Sequence, residues 1–579
     1  MEGKRNLTTC SALLGAWLLV PATAAAQPMS DSEKIQKLER QTELLQKQSE
    51  LLQKQLKEVK EELARARHRS EKVEASGQAV ATLPPAPRHE SAKSPIVKGP
   101  PPPAERVKLT LGGFVTADTV WRQRNMVNDM ATNFGAIPYP FSPLYDEHEF
   151  HGSARSSRIS VLVEGNIDPW QKVAGYYESD FLGVAGSNAA GAAASNYNQT
   201  NGWPPRLRQA HLTYDNSSWG FHFLAGQAWS LLTQNQVGIT PRKENIPNTI
   251  EANYVVGWNY TRQWQIRAVQ EFGPGVSLGV SIENPAAIVG ASTATAPTGA
   301  GGAFVSGGIV NGIEVNFANI GAGGFLNGVT VTTDQIPDII EKVAFDPGWG
   351  HYEIVGLQRF FTDHTLTCVP GPCVAGSTAM TGSTTTKTTF GAGVGGSVLL
   401  PLIPQYLDFT GNVLYGRGVG RYAPGQLPDV TIASDGSLTP LVGLSALVGL
   451  IAHPWEGLDV YAYAGLEQVS ASYFDVGTML FGYGNPGFSN VGCTIVTPSS
   501  FAGVTPANCI ANSRRLSDVT VGFWQDVYRG NYGRARVGAQ YEYIKREVFT
   551  GLGGAPSTDN NIILTSLRYY PFEQPAPSR

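Results

Sequence analysis

Two hydrophobic periods divide this chain. Between Ile35 and Ala66 apolar residues return every seven positions. One seam runs through Ile35, Thr42, Ser49, Leu56 and Leu63, the other through Leu38, Leu45, Leu52, Val59 and Ala66. The heptad ELLQKQS at 43–49 is followed at once by ELLQKQL at 50–56. Leucine on the seam with Gln, Lys and Glu elsewhere predicts a coiled-coil helix, about 48 Å long at 1.5 Å per residue. A single helix cannot bury such a seam, so segment 27–69 is expected to self-associate. The spacing leaves dimer and trimer open, and the competing reading is a charged, solvated helix. Residues 70–106 carry Pro84-Pro85-Ala86-Pro87 and Pro100 to Pro103, the composition of a semi-rigid linker.

From Val107 the period drops to two. Sixteen candidate strands lie near 107–122, 153–166, 171–183, 205–216, 219–232, 262–272, 275–285, 337–346, 351–361, 386–400, 405–416, 440–453, 457–470, 513–527, 533–546 and 560–572. In one of them Arg534, Arg536, Gly538, Gln540 and Glu542 face one way, and Ala535, Val537, Ala539, Tyr541 and Tyr543 the other. Arg158, Ser160 and Glu164 against Ile159, Val161 and Val163 repeat the split, with Tyr176, Glu178 and Asp180 as the polar set of the next strand. A soluble sandwich would bury the apolar face on a second sheet. In a membrane barrel that face meets lipid and the polar face lines water.

The connections decide between the two. Short turns such as Asp168-Pro169, Gly273-Pro274, Asp346-Pro347-Gly348 and Arg529-Gly530-Asn531 alternate with long loops, of which 286–336 is the longest. Seven short turns and eight long loops join sixteen strands, the connectivity of an outer-membrane barrel. Residues 107–572 therefore read as an all-β transmembrane barrel of about 16 antiparallel strands, with eighteen as the alternative count. An N-terminal α-helical coiled coil precedes it and a short tail, 573–579, follows. Both barrel ends, and so the coiled coil, fall in the periplasm. Loops 286–336 and 471–512 are long enough to fold into the lumen.

Composition agrees. Charged residues are 16% of 579, against about 25% in ordinary soluble domains, while Gly reaches 65 and Tyr and Phe 22 and 23. Beyond the N-terminus no apolar run is long enough for a helical span, which leaves barrels untouched. A net charge of −4 without a Lys/Arg-rich run argues against a nucleic-acid partner. Lys4 and Arg5, the apolar stretch Leu13 to Val20 and the small residues Ala22 to Ala26 follow the plan of a secretory signal peptide, 1–26, cut after Ala26. With Cys10 removed, Cys368 and Cys373 form one local pair and Cys493 and Cys509 another, expected as disulfides in an exported chain. The rival four-thiolate metal site lacks CxxC spacing.

Several short motifs join this order of segments: Ala154-Arg155-Ser156-Ser157-Arg158-Ile159, Tyr176-Tyr177-Glu178-Ser179-Asp180-Phe181, Arg206-Leu207-Arg208-Gln209-Ala210-His211, Leu224 to Ser230, and Leu414 to Tyr422. Together they resemble the DcaP-like outer-membrane porins. The resemblance spans nearly the whole mature chain, although Arg417 stands where an acidic residue is expected and the second half, with its cysteine-bearing loop, matches less well. It implies a homotrimer with an N-terminal coiled coil and passive uptake of small anions, often dicarboxylates.

A porin works through pore width, fixed charge and hydrogen bonding at its narrowest point. Arginine suits anions, because guanidinium stays charged and grips carboxylates with two bonds. The candidate pore-lining residues are Arg158, Arg208, Arg262, Arg267, Arg359, Arg534 and Arg536, with Glu178 and Asp180. The parity that turns Ala210, Leu212 and Tyr214 to lipid would turn Arg208 there too, unless a bulge intervenes. Replacing Arg534 and Arg536 with glutamine is expected to move reversal potentials toward cations. The competing view pairs wall arginines with Glu164, Glu178, Asp180 and Glu542 in a neutral ladder.

No catalytic residues, cofactor or metal are expected. Gly391-Ala-Gly393-Val-Gly395-Gly396 fits GxGxxG but continues as strand rather than opening a helix. Asp146 to His151 holds ligand-type side chains in what reads as an acidic loop. The expected partners are further copies of the chain, outer-membrane lipids, small anionic solutes and peptidoglycan. A plugged barrel acting as adhesin or enzyme, and a structural tether to the cell wall, are the alternatives.

Overall fold

The computed structural model describes residues 107–573 apart from 184–203, 274, 291, 296–299, 304–307, 311–312, 317–333, 370, 373–380 and 497–508. The signal, heptad and linker segments lie outside the described residues.

Sixteen long strands form one antiparallel sheet: β1 Lys108–Arg122, β2 Arg158–Asn166, β3 Gln171–Asp180, β4 Arg206–Asn216, β5 Phe221–Trp229, β6 Arg262–Glu271, β7 Val276–Glu283, β8 Asp338–Phe345, β9 His351–Val369, β10 Thr381–Ile403, β11 Leu407–Arg417, β12 Val442–Trp455, β13 Leu458–Val469, β14 Ser513–Gly530, β15 Gly533–Val548 and β16 Ser557–Tyr570. Each pairs with its sequence neighbour, and β16 returns to β1 with Leu567 opposite Ala117. The ring is closed, so no edge is left unpaired.

Burial is inverted relative to a soluble protein. Ile159, Leu212, Val280, Ile354, Val448, Val519 and Ile563 are exposed, whereas Arg122, Arg208, Lys342, Arg359, Asp518 and Glu542 are buried. Strand alternation thus puts apolar side chains on the outer face and polar ones inside. The inner and outer sets expected for β2, β3 and β15 follow this division.

Three local departures have physical reasons. The expected strand 153–166 breaks at 154–157, because β1 pairs with β2 along its first half and with the loop strand Glu149–Ser153 along its second. Strands β9 and β10 run past their expected ends, where the threonine-rich Thr381 to Thr389 pairs with Phe361 to Val369. Threonine is polar enough to read as loop, yet its branched Cβ favours strand. The GxGxxG stretch lies wholly within β10. A Cβ on Gly395 would come within 2.6 Å of the Val413 carbonyl, so this strand is crowded rather than nucleotide-binding.

The described parts of the two longest loops pair with one another, Ser292–Thr295 lying against Met479–Tyr483. Cys493 and Cys509 form a disulfide that packs with Tyr139, Ala511 and Val548. Cys368 is also disulfide-bonded. Its expected partner, Cys373, lies outside the described residues.

Candidate pore constriction

Among the described residues, the segment that crosses the barrel belongs to neither of the loops expected to turn inward. It is residues 230–261, between β5 and β6. Their path is recorded by hydrogen bonds to inward side chains of successive strands. Lys342 Nζ of β8 donates to the Thr233 carbonyl at 2.7 Å, and Glu353 of β9 accepts from the Asn235 amide at 2.9 Å. Asn245 Nδ2 donates to Thr410 Oγ1 of β11, and the Asn248 amide to Tyr463 Oη of β13. Gln540 of β15 accepts from the Ile250 amide at 2.6 Å, Asp518 of β14 from Val256 and Glu467 of β13 from Gly257. A chain inside a barrel has few backbone partners, so wall carboxylates and amides satisfy its N–H groups. Contact is close where it ends. Gly257 has φ of +88°, and a Cβ there would sit 2.1 Å from the Ala446 carbonyl. On the wall itself, a Cβ on Gly465 would sit 1.7 Å from the Val256 carbonyl.

The loop is fixed at both ends of this path. Trp229, Tyr254, Trp258 and Tyr260 form a ring cluster with centroid separations from 4.5 to 6.0 Å. Glu251 accepts from the Thr132 amide at 2.9 Å, Thr132 Oγ1 at 2.6 Å and the Asn253 amide at 2.9 Å. Burial pushes the Glu251 carboxyl up, against the pull of Arg122 and these donors.

Between residues 246–254 of the loop and the wall made by β16, β1, β2, β3 and β4 lies a cavity of about 500 Å³. Arg158, Arg208, Arg568, Glu178, Asp180 and Tyr254 are among its lining residues. Arg208 reaches it through a bulge. Glu178 pairs with Gln209 and Ser179 with Leu207, so Arg208 is the extra residue. Arg208 and Gln209 are both buried while Leu207 is exposed, because the bulge resets the alternation. Arg208 then donates to Glu178 at 2.5 Å, Asp180 at 2.8 Å and Tyr254 Oη at 3.2 Å. Arg206 adds a two-bond contact to Asp180 at 2.9 and 2.6 Å.

Arg158 is held more loosely. Its Nη1 lies 3.8 Å from Glu178, and its Nε is buried with no hydrogen-bond partner among the described residues. Arg568 Nε is in the same state. Burial alone would raise the Tyr254 phenol, but Arg208, Arg262 and Arg158 outweigh it and hold it below its ordinary value.

The remaining candidates sit elsewhere. Arg262 lies 5.0 Å over the Trp229 ring, with Nε and Nη1 buried and without a hydrogen-bond partner among the described residues. Arg267 donates to the Trp229 carbonyl at 2.6 Å and to Gln265 at 3.0 Å. Arg359 is fully buried, 2.7 Å from Asp429 and 3.2 Å from Asp338, and also donates to the carbonyls of Gly418 and Ala286. Both act as clamps on loop ends. Arg534 and Arg536 bind Asp526 at 2.8 and 2.9 Å, and Arg536 also binds Asp459. None of these five lines the cavity. Glu149, in the acidic loop, accepts from the Met126 and Asn128 amides and lies 3.3 Å from Arg122.

Sequence reasoning missed Arg568, Phe114, Tyr254 and the whole of the inward loop. A signal for the loop was present. Ile246, Ile250, Val255, Val256, Trp258 and Tyr260 are too apolar for a segment standing in water.

A closed sixteen-stranded antiparallel ring crossed by an inward loop is the architecture of a porin barrel. The chain has the fold of a DcaP-like porin. It is similar to the outer membrane channel DcaP of Acinetobacter baumannii, with a TM-score of 0.52 at 17% identity over 80% of this chain and 97% of that one. OprB of Pseudomonas putida is similar at a TM-score of 0.39 and 10% identity, over 80% of this chain and 94% of its own. OmpF of Salmonella typhi, solved with daunomycin, is similar at 0.39 and 7%, over 80% and 97%. No family model and no curated protein sequence matches the chain.

Proposed function

We propose that this chain is a passive porin for small hydrophilic solutes that prefers anions such as carboxylates and dicarboxylates. The observation that carries the reading is the balance of charge around the cavity. Its carboxylates are occupied: Glu178 and Asp180 by Arg208 and Arg206, Glu251 by Thr132 and Asn253, and Glu573 by Arg534 at 3.4 Å. Arg158, a quarter exposed and 3.8 Å from Glu178, and Arg568, with no ion pair among the described residues, line the cavity less fully neutralised. Guanidinium donors at a narrow point replace water around a passing anion.

The solute would diffuse to the loop, exchange part of its hydration for Arg158 and Arg568, and leave without any covalent step. In this reading the signal peptide directs export and the barrel crosses the outer membrane. The heptad segment gathers three copies in the periplasm, where it is also positioned to meet peptidoglycan. The test is the reversal potential of reconstituted channels in a salt gradient. The native protein is expected on the anion side, and R158Q/R568Q is expected to move toward cations. A native channel that prefers cations would refute the anion preference.

A further inference from the structure

The aromatic lining of the same cavity has no role in simple charge selection. Phe114, Tyr570 and Phe572 line it beside the two arginines, with Ile246 and Pro247 on the loop side. Phe114 shares the inward parity of Thr116 and Asp118. Its ring lies 5.2 Å from Tyr570 at an angle of 45°. The Arg158 guanidinium sits 5.3 Å from the Phe114 centroid and that of Arg568 sits 5.0 Å from it. Arg568 is backed in turn by Trp524, at 4.5 Å.

Resting on the porin reading, we propose that this constriction prefers anions carrying a planar aromatic ring, of the benzoate class. The carboxylate takes the guanidinium groups of Arg158, whose side chain is a quarter exposed, and of Arg568, both of which line the cavity, and the ring lies along Phe114 and Tyr570. A guanidinium stacked on a ring has its face covered and its N–H edge free, which suits an in-plane carboxylate. Apolar rings at a narrow point hold water poorly, so an aliphatic or inorganic anion crosses them at a cost. A flat solute covers them, and ring pairs prefer offset or tilted arrangements at such separations. The cavity volume of about 500 Å³ accommodates a single-ring acid together with water.

The experiment compares benzoate with cyclohexanecarboxylate as blockers of chloride current through the purified protein in planar bilayers. The two acids share a charge and are close in size, but only benzoate is flat. Benzoate is expected to block about fivefold more tightly. Phe114→Leu should bring the two acids to within about twofold of each other, and Arg568→Gln should weaken block by benzoate about fivefold. Folding of each variant is checked by heat-modifiable migration, and the native comparison requires no variant. Equal block by the two acids in an anion-selective native channel overturns this proposal and leaves the porin reading standing. A ring preference that survives in Phe114→Leu also overturns it. A cation-selective channel, or no channel, overturns the porin reading as well.

Discussion

Arg208 and Arg158 line one cavity and do different work. Arg208 is 2% exposed and bound to two carboxylates, so removing its charge leaves Glu178 and Asp180 buried and less compensated. Breaking a buried pair in this way costs about 3–5 kcal/mol. Arg208→Gln is therefore expected to lower the temperature at which the folded barrel converts to its heat-denatured band. Arg158→Gln should lower it far less, since Arg158 is only loosely paired. An equal loss in both variants would refute the distinction. Selectivity should divide differently. R158Q/R568Q is expected to shift reversal potentials further toward cations than R534Q/R536Q, whose arginines already face Asp526 and Asp459. The period-two pattern showed Arg158 on the inner face but left Arg208 ambiguous. A bulge adds one residue and resets parity while leaving composition unchanged, so alternation alone does not reveal it. Arg568 lies in the expected last strand, 560–572, where Pro571 and two faces neither of which is polar throughout leave alternation a weak guide.

At the scale of elements, the segment that crosses the barrel is residues 230–261. Length pointed to 286–336 and 471–512, whereas the criterion that mattered was which loop carries apolar side chains and backbone that the wall can satisfy. Wall groups such as Gln540, Asp518 and Glu467 were legible as inward-facing polar residues, but their use as anchors for loop amides was not. Glu251 supplies a pH test of this anchoring. Burial raises its folded pKa above the unfolded value of about 4.3. Its contribution is therefore fully present below the unfolded value and is lost as pH rises through the folded one. Relative to Glu251→Gln, the native protein should lose thermal stability as pH rises through that window. Parallel profiles for the two proteins would show that Glu251 stays ionised throughout.

At the scale of the molecule, the sequence made the barrel legible because alternation and turn spacing each point to it independently. The strand count, the order of short and long connections and the inner and outer sets of β2, β3 and β15 all follow from side chains that alternate between lipid and water. The heptad segment belongs to this scale too. Crosslinking of unheated protein is expected to give a trimer, and deletion of residues 27–106 is expected to weaken it. An unchanged crosslinking pattern after deletion would assign assembly to the barrel wall alone.

The central claim is that the loop narrows the barrel without closing it and leaves an opening edged by arginine. Ion current across planar bilayers containing the purified protein, in a potassium chloride gradient, tests this most directly. The account predicts steady open channels whose reversal potential lies on the chloride side. A bilayer that stays insulating although folded protein has inserted would contradict it.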